Sequence, residues 1–324
     1  MPAISASAPG KIILVGEHAV VYGRPAIAIP VEQVRAKAIV SANPKQAPGT
    51  VFIQAPNIGI ETTLAELPVE DPLAVAVNSV FQTLNISRPP ALTLRVSATI
   101  PIAAGLGSGT AISIAIIRAL SAFLGKPFSD ERVSTLAYEI EKIHHGTPSG
   151  IDNTVITYRQ PIYFQRISED HIEIKKISLP QAFTIIIADT GIPSPTSSTV
   201  GDVRQAWLVQ PEHYESIFDK IGTIVKEALC EIQSGQVEKL GKLMTANHQL
   251  LVDLGVSSPE LDRLVRASLE AGAWGAKLSG GGRGGNIIAL ASEEQASWIT
   301  QGLKSAGATH AITTLISESL HTNL

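Results

Sequence analysis

Residues 8–18 read Ala-Pro-Gly-Lys-Ile-Ile-Leu-Val-Gly-Glu-His, and this stretch governs the reading of the rest of the chain. Lys11-Ile-Ile-Leu-Val15 is a short apolar run rich in β-branched residues, which predicts a buried strand. Charge brackets it, with Lys11 at its start and Glu17-His18 just beyond its end. By itself, a lysine at a strand start reads as a solvated edge charge, and Glu17-His18 as a polar turn. Both gain weight because each charge stands close to a glycine, Gly10 or Gly16, where a ligand can approach backbone closely. A second strand-like run, Pro25-Ala-Ile-Ala-Ile-Pro-Val31, follows a turn at Tyr22-Gly23-Arg24.

Working outward, residues 34–41 and 50–54 read as further strands, with Asn43, Pro44, Pro48 and Gly49 between them. A helical pattern covers 71–86, and Leu92-Thr-Leu-Arg-Val-Ser alternates as a half-buried strand does. An apolar helix is expected over roughly 110–124, and Ser129 or Asp130 caps another that runs to about His145. Residues 151–165 and 183–188 read as strands, and 202–270 as mainly helical. Lys277-Leu278 leads into Ser279-Gly-Gly-Gly-Arg-Gly-Gly285, then a strand from Asn286, with a helix near 293–306 and a strand near 310–317 closing the chain. Strand runs followed by paired helices predict an α+β fold. The interruptions at Ser168-Glu-Asp and Leu179-Pro-Gln place a domain boundary near 170–182, giving domains 1–178 and 179–324.

Composition narrows the function. The 324 residues are 44% hydrophobic and 17% charged, with a net charge of −4. This is a globular balance, with neither the basic excess nor the Lys/Arg stripe of a nucleic-acid binder. The lone cysteine, Cys230, excludes an intrachain disulfide and reads as a small buried helix residue. No leader pattern or bilayer-length apolar run is evident, so a cytoplasmic protein with no membrane contact is expected.

Three further places carry chemistry. The turn Gly105-Leu-Gly-Ser-Gly-Thr110 lies between a strand and a helix, where unpaired N–H groups and the helix dipole favour an anion. It lacks the Lys-Ser/Thr pair of a Walker A loop, and no acidic residue about 20 positions on ends a strand as a dinucleotide fold requires. Glu141 stands near the end of its helix, unfavourably for an acid unless a cation is close, and Mg²⁺ or a surface partner such as Lys142 would serve. Asp152 follows the turn-rich Gly146-Thr-Pro-Ser-Gly150, which would hold a catalytic carboxylate rigidly or simply a turn aspartate.

Together, Ala8–Ile29, Pro101–Ala111 and Lys277–Gly285 resemble the three motifs of the galactokinase–homoserine kinase–mevalonate kinase–phosphomevalonate kinase superfamily, in order. The first motif, with Pro56-Asn-Ile-Gly-Ile60 and Glu141-Lys-Ile-His-His-Gly-Thr-Pro-Ser-Gly-Ile-Asp152, is most similar to that of the mevalonate kinases. The resemblance covers essentially the whole chain. It implies two α+β domains with the active site in the cleft between them, ATP and Mg²⁺ as cofactors, mevalonate phosphorylated at its C5 hydroxyl, and a homodimer. It also implies roles for individual residues. Asp152 is the catalytic carboxylate, with Lys11 beside it, and Glu141 with Ser108 holds Mg²⁺. Asn57 and Gly105, Leu106, Gly107, Ser108, Gly109 and Thr110 bind ATP. Glu17, His18, Ser149, Gly150, Thr196 and Gly280 line the acceptor pocket.

Three positions depart from that pattern. Gly109 replaces a serine that helps hold Mg²⁺, leaving Ser108, Thr110 or water to substitute. Arg283 replaces a glycine, and either reaches phosphate or points to solvent. Ser194 replaces an arginine of the animal enzymes. Competing readings are a kinase of the same superfamily acting on phosphomevalonate, homoserine or a sugar, a non-catalytic nucleotide-binding regulator, and an oxidoreductase. Retention of Lys11, Glu141 and Asp152 argues against the regulator, and the oxidoreductase rests on the glycine turn alone.

Overall fold

Two long strands open the chain, β1 (Ile4–Val15) and β2 (Ala26–Ala42), and they pair with each other. The sequence suggested two strands across 25–41, but β2 is continuous. Its first six residues are all buried, whereas from Val34 onward burial alternates, with Val34, Ala36, Ala38 and Val40 inside. Glu32-Gln33 therefore marks a change from two covered faces to one, not a chain break. The computed structural model describes residues 3–101, 105–145, 149–168, 171–194 and 196–317. Residues 102–104 and 146–148, parts of two sequence motifs, lie outside them.

The fold is α+β, and the chain divides into two units. The first comprises 1–10, 34–101 and 107–158. Its sheet runs β4 (Ile60–Thr63), β3 (Val51–Ala55), β5 (Leu92–Ala98), β2, with β3 parallel to β5 and the other pairs antiparallel. Four helices accompany it: α1 (Pro72–Thr83), α2 (Ser108–Phe123), α3 (Asp130–His145) and α4 (Ile151–Tyr158). Asp71 starts α1, its carboxylate accepting from the Leu73 and Ala74 N–H groups at 2.9 and 3.3 Å. Most of α2 is buried, as its apolar composition requires.

One sequence expectation fails here. Residues 151–158 form helix α4, not a strand, and strand structure resumes only at β6 (Ile162–Arg166). The β-branched run Thr154-Val-Ile-Thr157 misled the propensity argument. Tertiary anchoring prevails, since α4 packs on α2 and α3, Asn153 donates to the Ser134 hydroxyl at 2.8 Å, and Thr154 donates to the Gly150 carbonyl at 2.7 Å. Asp152 accordingly sits in the first turn of a helix.

The second unit comprises 11–33, 102–106 and 159–324. There β6 pairs with the first part of β2 and with β7 (Ile172–Lys176), a strand in the stretch the sequence reading treated as a boundary. A four-stranded antiparallel sheet follows, ordered β11 (His310–Ile316), β8 (Phe183–Asp189), β10 (Asn286–Ala291), β9 (Gly275–Ser279). Helices α5 (Thr196–Val209), α6 (Pro211–Gln233), α7 (Val237–Asp253), α8 (Pro259–Glu270) and α9 (Ala296–Ser305) complete it. Phe218, Leu251, Leu264, Leu278, Ile287 and Ile299 meet in its core, and burial of each such side chain stabilises by about 1.5–3 kcal/mol. Cys230, expected to be buried, is exposed on α6. Among the described residues no helix is long and apolar enough to cross a membrane.

Candidate active site

In the second unit, three separated stretches meet. The Lys11 N–H donates to the Leu106 carbonyl at 3.0 Å, which ties the first strand to the leading edge of the glycine turn. Gly105 and Gly280 lie so close that a Cβ on either would sit 4.0 Å from the other's Cα. The Ser279 hydroxyl donates to the Ile13 carbonyl at 3.1 Å. Thr196 at the start of α5 completes the group. A Cβ on Gly281 would approach the Thr196 hydroxyl oxygen to 2.6 Å, so only glycine lets the loop and Thr196 come this close. Ser194 donates to the Gly282 carbonyl at 2.9 Å.

Glu17 and His18 follow β1 and are both buried. His18 holds a positive φ, 60° with ψ −52°, a sparsely populated conformation that costs roughly 1–3 kcal/mol and is found where a site over-determines the chain. Its Nε2–H donates to the Gly281 carbonyl at 3.1 Å. A carbonyl only accepts, so this nitrogen carries the proton of the neutral ring and Nδ1 is left as an acceptor. Glu17 pairs with Lys277 of β9, whose ammonium also donates to the Leu278 carbonyl at 2.6 Å. Both side chains are essentially inaccessible, at 1% and 0% exposed. Burial pushes the Glu17 carboxyl up and the Lys277 ammonium down, each toward its neutral form, while their mutual attraction opposes both shifts. Sequence reasoning missed Lys277. The signal was a lysine inside an apolar strand, which cannot be buried without an acidic partner.

His18 makes stability pH-dependent. Burial, with the nearby Lys277 and Arg283 charges, lowers its pKa from 6.5 to about 4, against the pull of the Gly281 hydrogen bond. Between those values the unfolded chain binds the extra proton and the folded chain does not. Stability is therefore fully present above pH 6.5 and lost as pH falls toward 4. The loss from this group is at most about 3 kcal/mol. His248, whose pKa burial also lowers, acts in the same direction. Urea unfolding at pH 7 and pH 4.5 should show a clearly smaller pH dependence in His18→Gln than in the wild type.

Arg283, which the sequence left between phosphate and solvent, has a partner within the chain. It forms an ion pair with Asp202 of α5, and its Nε–H donates to the Gly255 carbonyl at 3.3 Å. Its φ of 55° explains why glycine suits this position.

The remaining marked residues belong to the first unit. Gly107, left-handed at φ 72°, precedes α2, and among the described residues no side chain caps the helix start. Thr110 donates its hydroxyl proton to Glu141 of α3. A Cβ on Gly109 would meet no atom within 4 Å, so the serine that the resemblance expects would fit. The Asn57 side-chain oxygen accepts from the Ala98 N–H at 3.0 Å. Ser149 accepts from the Ile151 N–H at 3.3 Å and, with buried Gly150, leads into the α4 turn that carries Asp152. The marked residues thus divide between the two units: Lys11, Glu17, His18, Gly105, Leu106, Thr196 and Gly280 in one, and Asn57, Gly107 to Thr110, Glu141, Ser149, Gly150 and Asp152 in the other.

Among the described residues no group of three or more His, Cys, Asp or Glu could cage a metal. The donors present at the α2 start are hard oxygens, namely the Glu141 carboxylate and the Ser108 and Thr110 hydroxyls. That set fits Mg²⁺, which takes one or two carboxylates and completes its shell with phosphate oxygens and water.

Hard oxygen donors at the start of α2 suit a phosphate with Mg²⁺, and sequence comparison gives the class of protein, a small-molecule kinase. Residues 72–160 match the GHMP kinases N terminal domain and residues 225–309 match the GHMP kinases C terminal domain. The chain is 35% identical to the mevalonate kinase of Thermococcus sibiricus, over 98% of this chain and 97% of that protein. It is 36% identical to that of Aeropyrum pernix over the same shares. The L. major mevalonate kinase solved in complex with R-mevalonate superposes with a TM-score of 0.85 at 32% identity, covering 97% of this chain and 96% of that one. The chain belongs to the GHMP kinase family, as an ATP-dependent small-molecule kinase whose similarity is to the mevalonate kinases. Solved phosphomevalonate kinase and galactokinase structures share the fold at 16% and 19% identity, which carries no further inference.

Proposed function

We propose that this enzyme transfers the γ-phosphoryl group of ATP to the C5 hydroxyl of mevalonate, giving 5-phosphomevalonate for isoprenoid precursor synthesis. The observation that carries the reading is identity of about 35% to mevalonate kinases over 98% of the chain.

Phosphoryl transfer has a loose transition state, so catalysis comes from positioning and charge stabilisation. In this reading, residues 105–110 and the uncapped start of α2 hold the ATP phosphates, with Asn57 on the nucleotide. Glu141 and Ser108 hold Mg²⁺, with Thr110 directing Glu141. When bound, the metal offsets negative charge on the β- and γ-phosphates. Asp152 orients the acceptor hydroxyl and takes its proton. Lys11 keeps Asp152 ionised and compensates charge on the transferring group. His18, Ser149, Gly150, Thr196 and Gly280 shape the acceptor pocket, and Glu17 fixes the backbone from which His18 projects. The lone cysteine supports a reducing, cytoplasmic location, and the resemblance supports a homodimer.

A coupled assay of ADP release over a panel of acceptors tests the proposal. Mevalonate should give turnover, whereas phosphomevalonate, homoserine and galactose should not. Preference for any of those three over mevalonate would reassign the acceptor, and no ADP release with any of them would remove the catalytic reading.

A further inference from the structure

A groove of about 770 Å³ opens on the second unit between α7 and α8 and shares no residue with the proposed catalytic machinery. Lys242 on α7 and Arg266 on α8 line it, Trp274 forms a wall, and His248 is buried within it. Among the described residues neither Lys242 nor Arg266 makes an ion pair. The groove's carboxylate, Asp262, is already engaged by the Ser257 hydroxyl at 2.5 Å and by His248 at 3.3 Å. The lining therefore presents net positive charge on a chain whose net charge is −4.

The frame of the groove is closely packed. Gly241 of α7 lies against Gly275 so closely that a Cβ on Gly275 would stand 1.7 Å from the Gly241 carbonyl oxygen. This seats α7 directly on the strand that begins after Trp274. Thr245 accepts from the Ala276 N–H at 3.2 Å, and His248 Nδ1 accepts from the Leu278 N–H at 3.4 Å. Two cations that make no ion pair among the described residues, on the two helices that line the groove with an indole beside them, match a small anion that also carries a flat apolar part.

We propose that this groove is a second ligand site, taking a small organic anion with an aromatic or otherwise planar apolar portion. Lys242 and Arg266 hold the charge and Trp274 holds the flat part. His248 links the site inward, since Leu278, whose N–H it accepts, also receives the Lys277 ammonium on its carbonyl.

The probe is 8-anilinonaphthalene-1-sulfonate, titrated into the full-length enzyme with and without saturating non-hydrolysable ATP analogue, Mg²⁺ and mevalonate. Saturable binding should persist in the presence of those ligands, and the double variant Lys242→Glu/Arg266→Glu should weaken it at least tenfold. Trp274→Leu should weaken it as well, and both variants should keep wild-type melting temperature and kinase rate. Unchanged affinity in the double variant, displacement of the probe by the nucleotide analogue, or no saturable binding would each overturn the proposal. None of these outcomes depends on the identity of the phosphoryl acceptor.

Discussion

Asp152→Asn is expected to lower kcat by about 10³-fold while leaving the KM for ATP within a factor of a few. A positioned proton acceptor contributes roughly 10²–10⁴ in rate, and an amide of the same shape can still orient the hydroxyl but cannot take its proton. The substitution keeps the side chain's size and shape in the first turn of α4, whose buried anchors Asn153 and Thr154 are unchanged. Steady-state kinetics with nucleotide-binding titrations separate the two effects. A variant turning over within tenfold of the wild type would remove Asp152 from the catalytic role, and one that lost nucleotide affinity instead would move it to the ATP site.

Lys277→Met should destabilise the protein by about 3–5 kcal/mol, the usual result of leaving one member of a buried ion pair without its partner. Glu17 is 1% exposed and pairs with Lys277, so the variant strands a carboxylate that burial already pushes toward its neutral form. The double variant Glu17→Gln/Lys277→Met should recover most of that loss, since no charge is then buried. Urea unfolding of the wild type, the single variants Lys277→Met and Glu17→Gln, and the double variant gives the coupling directly. The KM for mevalonate should rise in the single variant, because His18 projects from the backbone that Glu17 anchors. A stability loss below about 1 kcal/mol in Lys277→Met would show that the pair does not hold the 16–18 turn.

The sequence was informative where one kind of order governs a segment. The apolar run of α2, the helical pattern over 71–86 and the capping residues at 129–130 announce helices whatever their neighbours do. The strands from 183, 286 and 310 are legible because their apolar runs are bounded by turn residues. The failures arise where distant contacts decide. Residues 151–158 have the composition of a strand, yet Ser134, nineteen positions earlier, helps hold them in a helix. Cys230 looks like a core residue until the register of α6 turns it outward.

The site follows the same rule. Backbone-led features are visible as motifs where glycine is required, as at Gly105 and Gly107 with their positive φ and at Gly281 against Thr196. The Glu17–Lys277 pair spans 260 positions, and neither residue declares its partner locally. Arg283 was ambiguous for the same reason, its counter-charge Asp202 lying 81 residues away.

The most direct measurement is a crystal structure with mevalonate and a non-hydrolysable ATP analogue bound with Mg²⁺. It should show the mevalonate C5 hydroxyl within hydrogen-bonding distance of an Asp152 oxygen, the Lys11 ammonium beside both, and the γ-phosphate against residues 105–110. A mevalonate molecule bound elsewhere, or Lys11 and Asp152 too far apart to share one substrate, would contradict the account.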